Sequence, residues 1–131
     1  MSSAFKEKES KTFDIEHQQA SLDIWDKKYR LKDELGEAID ENIDETFDRV
    51  ATALASVEND ESREEWTNKF LWALRSGAIP AGRIISNAGA EKYKPATSTI
   101  NCTVSGSIQD SMTGILEKVT EAGLTLKAGC G

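Results

Sequence analysis

The stretch NIDETFDRVATALASVENDESREEWTNKFLWALRSG, Asn42 to Gly77, decides how the first half of this chain folds. Asn42 stands three residues before Glu45, which is the spacing of a helix-starting capping box. Ile43, Phe47, Val50, Leu54 and Val57 then recur at helical spacing. Asn59-Asp60-Glu61 breaks the pattern. Ser62-Arg63-Glu64-Glu65 has the same box spacing and starts a second helix in this reading, with Trp66, Phe70, Ala73 and Leu74 on one side. Gly77 is placed to end it as the left-handed residue after the cap. Two amphipathic helices on a short link bury their stripes against each other first.

The charge and composition around this stretch are uneven. The chain has 131 residues, about one domain's worth, with 16 basic and 23 acidic residues and a net charge of −7. Residues 1–65 hold 19 acids and 9 bases, whereas residues 66–131 hold 4 acids and 7 bases. Eight of the nine glycines follow residue 76, and eight of the nine aromatics precede residue 73. The chain therefore changes character near Gly77, from acidic helices with an aromatic core to a glycine-rich, mildly basic segment. Such an acidic first half argues against nucleic acid as a direct partner. No run approaches the roughly 18 to 20 apolar residues of a membrane span, and the N-terminus lacks the apolar stretch of a secretory signal. Two cysteines without a CxxC, and His17 as the one histidine, give no zinc site or His-based triad, so no metal site is expected.

Outward from the helices, residues 1–20 read as a mobile arm. Residues 21–32, with Trp25 and Tyr29 four apart, fit either a short helix or an anchoring extended stretch. Pro80 bars regular helix, and residues 84–96, with Gly89 and Pro95, read as loop. Thr97 to Val104 is the best strand, because Thr97, Thr99, Ile100, Thr103 and Val104 are β-branched. A turn at Gly106 precedes a helix that starts at Asp110-Ser111 and runs to about Lys127, interrupted by Gly114 and Gly123. Close packing on another helix is one reason to tolerate those glycines. Ala128 to Gly131 shows no terminating logic. A single strand cannot satisfy its own backbone, so it pairs with another polypeptide or with a continuation of this one. Trp25, Trp66, Phe70 and Trp72 are expected in the core or at a packing face. By themselves, a cysteine on a strand reads as a small buried apolar residue, and the acidic run as a solvated helix face.

Read in order, IWDKKYR (24–30), PAGRIISNAG (80–89), KPATS (94–98), NCTV (101–104), DSM (110–112) and LKAGCG (126–131) resemble the start of a ribonucleotide reductase catalytic chain, in the style of the adenosylcobalamin-dependent class. The resemblance covers about residues 21–131. It implies an α/β protein that is incomplete in this chain: a mainly α N-terminal region over 21–78, then the first strand and helix of a ten-stranded α/β barrel over 79–131. It also implies a cytoplasmic enzyme that makes deoxyribonucleotides for DNA synthesis, inactive as this piece alone.

The resemblance places roles on particular residues. Cys102 matches the first-strand cysteine that faces the ribose, one of the pair oxidised to a disulfide as the sugar is reduced. Asn101 and Gly131 match substrate contacts. Gly82 and Arg83 fall in the loop that holds the substrate phosphate, where many relatives have Ser/Thr-Pro; Arg83 would supply the charge. Asp110, Ser111 and Met112 match the start of the helix that binds a specificity effector, a deoxynucleoside triphosphate or ATP. The 111–127 helix matches a homodimer interface. Adenosylcobalamin is the implied cofactor, held mostly by residues outside this chain, and a thioredoxin-type protein the implied reductant. Cys130 matches no catalytic position. The competing reading is a non-enzymatic acidic helical interaction module.

Overall fold

The computed structural model describes residues 15–94 and 98–131. Thr97, Pro95, Ala96 and most of the expected arm lie outside those residues. Five helices follow in order: α1 (Gln19–Lys28), α2 (Ile43–Ala55), α3 (Asp60–Arg75), α4 (Gly82–Asn87) and α5 (Met112–Lys127). The arm therefore ends before residue 20. Ile15 already packs by Gly77, and His17 lies 6.4 Å from the Phe47 ring.

The first capping box forms. Asn42 accepts from the Glu45 N–H at 3.0 Å, and Glu45 reaches back to the Glu41 N–H at 2.7 Å. The second does not. Helix α3 starts two residues early, at Asp60, behind an Asn59 whose side chain makes no cap bond. Ser62 lies inside the first turn and donates to the Asn59 carbonyl instead. Asp60 and Glu61 supply the negative charge that a helix N-terminus favours. Gly77, at φ 93°, ends α3 with the paired bonds of a Schellman motif, Gly77 N–H to Leu74 and Ala78 N–H to Ala73, both at 3.0 Å.

The core lies between α2 and α3, with α4 laid across α2. Val50, Ala51, Leu74, Ile85 and Ala88 are its buried centre, flanked by Tyr29, Phe47, Leu54, Phe70 and Ile84. Arg75 ties the end of α3 to the start of α2 through a bidentate pair with Asp44. Two expected core residues are outside it. Val57 follows the end of α2 and is 85% exposed, and Trp72 is 48% exposed on the outer side of α3. The 21–32 segment resolves as helix α1, followed by a tight reversal in which Ile39 N–H bonds back to the Leu31 carbonyl at 2.9 Å.

Two further expectations are corrected. Residues 84–96 are not all loop: Gly82–Asn87 form α4, too short to show periodicity and fixed by packing on α2. No strand forms among the described residues. Residues 98–104 are extended but lack a neighbouring strand to complete a ladder, which is the physical condition for one. From residue 98 onward the side chains are mostly exposed, including Met112, Leu116, Val119 and Leu126 of α5. In this 131-residue chain, limited proteolysis is therefore expected to cut first between residues 98 and 111 and to spare α2 and α3. A first cut inside α2 or α3, read by mass spectrometry, contradicts this packing.

Candidate functional site

Pro80 turns the chain out of the α3 terminus, and Ala81 starts α4. At Gly82 the backbone meets the Tyr29 ring so closely that a Cβ would lie 3.2 Å from it. The other end of α4 is held from α2. Arg49 donates to the Ala88 carbonyl at 2.6 Å and to the Ile85 carbonyl at 3.2 Å. Asp40, 3% exposed, grips Arg49 at 2.7 and 3.1 Å and also accepts from the Thr46 hydroxyl and the Leu31 N–H. Trp25 completes the chain by donating to Thr46 at 3.0 Å. Burial would raise the Asp40 pKa, but Arg49, Thr46 and Leu31 together outweigh it and hold the carboxyl below its ordinary value.

Helix α4 in turn reaches the second half of the chain. Asn87 donates to the Ser98 carbonyl at 2.8 Å. Arg83 donates to the Ala128 carbonyl at 3.4 Å and lies against Gly129, where a Cβ would fall 2.9 Å from Nη1. Gly129 has φ 75° and ends α5 in a second Schellman motif, with Gly129 N–H on Leu126 and Cys130 N–H on Thr125. The 128–131 run thus does terminate its helix, and a cation at that C-terminus is electrostatically favoured.

That turn delivers Gly131 beside Cys102. Gly131 N–H bonds the Asn101 carbonyl at 3.1 Å, and the Gly131 carbonyl accepts from Thr103 N–H at 2.8 Å. One residue bonding both neighbours of another is the rung pattern of a parallel strand pair. Gly131 stands opposite Cys102, whose Sγ would be 3.5 Å from a Cβ there. Neither cysteine is in a disulfide; Cys102 is exposed, whereas Cys130 is buried with its Sγ 3.3 Å from the Ile100 carbonyl. The Asn101 amide lies 3.6 Å from Cys102 Sγ.

The structure therefore brings Gly131 to Cys102 and Asn101, and Arg83 to Ala128 and Gly129 just before it, while Gly82 packs on Tyr29. Asp110, Ser111 and Met112 are not part of this cluster. They sit at the other end of the 16-residue α5, roughly 24 Å away along its axis. Ser111 caps that helix by accepting from Gly114 N–H at 3.1 Å. Gly114 has no room for a side chain, because Gln109 lies within 2.5 Å of a Cβ position, whereas a Cβ at Gly123 would meet nothing of this chain within 4 Å.

Residues 15–93 match the family model described as ribonucleotide reductase, all-alpha domain. The chain belongs to the ribonucleotide reductase family. The matched span holds α1 to α4 and the Asp40–Arg49 network, so these build the reductase all-alpha domain; Cys102, Gly131 and α5 lie beyond it. Among curated proteins none matches the chain significantly. Among the described residues no helix is long and apolar enough to cross a membrane, and no His/Cys/Asp/Glu group is arranged to hold a metal ion. Sequence reasoning missed Asp40, Arg49 and Asn87. Their partners lie far along the chain, and no local spacing marks them.

Proposed function

We propose that this reductase-family chain forms the N-terminal part of a ribonucleotide reductase catalytic unit that converts ribonucleoside di- or triphosphates to deoxyribonucleotides in the cytoplasm. The observation that carries the reading is the exposed Cys102 thiol opposite a side-chain-free Gly131, which leaves the sulfur open to a ligand. In this reading a thiyl radical on a cysteine elsewhere in the reductase takes the ribose 3′ hydrogen, and Cys102 then protonates the leaving 2′ hydroxyl. It then joins a second cysteine in a disulfide. The two electrons released and the second thiol's proton replace the C2′–O bond by C2′–H, the oxygen leaves as water, and the abstracted hydrogen returns to C3′. Asn101 and Gly131 contact the substrate, and Gly82 and Arg83 lie on its phosphate side. A thioredoxin-type protein returns the disulfide to thiols.

The N-terminus of α5, at Asp110, Ser111 and Met112, would take the deoxynucleoside triphosphate or ATP effector through its unpaired N–H groups. The exposed apolar face of α5 would meet a second copy, and the remainder of the reductase would complete the barrel. The described residues do not build an adenosylcobalamin pocket. Two clefts of the helical part are open grooves, one along α2 lined by Asp48, Thr52 and Glu91, the other apolar and lined by Leu54, Phe70 and Ile79. Adenosylcobalamin would be held by other residues of the reductase and would supply the radical there.

The reductase chain carrying this domain, given a ribonucleotide and a dithiol with and without adenosylcobalamin, is expected to yield deoxyribonucleotide. No product in either arm overturns the reading; product in both arms removes cobalamin from it.

A further inference from the structure

We propose that Arg83 and Asn87 are positioning residues that together set the register of Gly131 against Cys102; the inference rests on the functional reading above. The two residues are four apart and share one face of α4. Asn87 holds the Ser98 carbonyl, at the root of the segment that carries Cys102. Arg83 holds the Ala128 carbonyl and Gly129, at the root of the segment that carries Gly131. The two roots are therefore fixed to a single short helix, and the rung between Asn101, Gly131 and Thr103 closes directly beyond them.

The helix can act as a reference because it is itself immobilised. Tyr29 lies on Gly82 at one end, and Arg49 binds the Ile85 and Ala88 carbonyls at the other. Gly129 is needed in two ways, for its positive φ and because a side chain would displace the Arg83 guanidinium. Contacts between α4 and α5 as elements are minimal, so these two polar side chains carry the alignment rather than an apolar interface. The all-alpha domain thus does more than precede the reacting segment: it aligns its two backbone runs.

This assigns Arg83 a task different from holding a substrate phosphate, and the two are separable. In the full reductase, Arg83→Ala and Asn87→Ala are each expected to lower kcat about 10-fold to 100-fold, with KM for the ribonucleotide changed by less than about twofold. The loss is expected to be the same for a nucleoside diphosphate and the matching triphosphate. Arg83→Lys, which keeps one donor, restores part of kcat. Gly129→Ala displaces the guanidinium, so the Arg83→Ala/Gly129→Ala double variant is expected to be no worse than Gly129→Ala alone. A rise in KM at unchanged kcat, larger with more phosphates, overturns the clamp and makes Arg83 a phosphate ligand. Unchanged kinetics in both alanine variants of an active enzyme overturn the clamp alone, and an inactive wild type overturns the functional reading along with it.

Discussion

Arg49→Met is expected to lower the stability of the helical domain by about 3–5 kcal/mol, read by urea unfolding near neutral pH. Methionine keeps most of the side-chain volume, so the loss isolates the charge and its hydrogen bonds. Asp40 then stays buried with the Thr46 hydroxyl and the Leu31 N–H but without the guanidinium that pairs with it. The Ile85 and Ala88 carbonyls also lose their donor. Pairing Arg49→Met with Asp40→Asn should recover part of the loss, since no unpaired charge remains. The pH dependence has a fixed sign. The folded pKa of Asp40 is depressed, so its contribution is present above the ordinary carboxyl range and is lost as pH falls through the folded value. The gap between wild-type and Arg49→Met stabilities should therefore narrow below about pH 4, down to what the two carbonyls lose. Curves that stay parallel from neutral to acid pH would show that the ion pair is not what holds α4.

The same network shows why only part of this molecule is legible in its sequence. Helix α2 announces itself locally, because Asn42 and Glu45 are three apart and the apolar stripe follows at once. The Gly77 stop and the Ser111 start are equally local, each set within one helical turn. The start of α3 misleads for a related reason: Ser62 and Glu65 have the right spacing, yet Asp60 and Glu61 already satisfy the helix N-terminus. Helix α4 is invisible to periodicity because six residues make fewer than two turns. What fixes it is an arginine 36 to 39 positions away. The cluster around Cys102 has the same character. Cys102 stands out in the sequence through its flanking motif, but the approach of Gly131 and the span of 45 positions from Arg83 to Ala128 are tertiary facts. The β-branched residues of 98–104 signal a strand as a preference, and no strand forms there among the described residues because pairing belongs to two segments and not to one.

Cys102→Ser is expected to reduce deoxyribonucleotide formation by about 10²-fold to 10⁴-fold in the full reductase, the range over which a positioned proton donor acts. Serine is nearly isosteric and still carries a proton, so folding and nucleotide binding should survive. What it cannot do is form a disulfide, and without that bond the two electrons for C2′ have no source. The loss should therefore persist when external dithiol is raised, whereas a defect in reductant docking would be relieved. Cys130→Ser is the matched control. Its sulfur is buried against the Ile100 carbonyl, a contact that a hydroxyl can also make, and activity should stay within about twofold of wild type. Rapid alkylation by iodoacetamide should likewise label Cys102 and spare Cys130, and bound ribonucleotide should slow it. An active Cys102→Ser enzyme, or labelling of Cys102 indifferent to nucleotide, would remove this thiol from the chemistry while leaving the family membership of the helical domain intact.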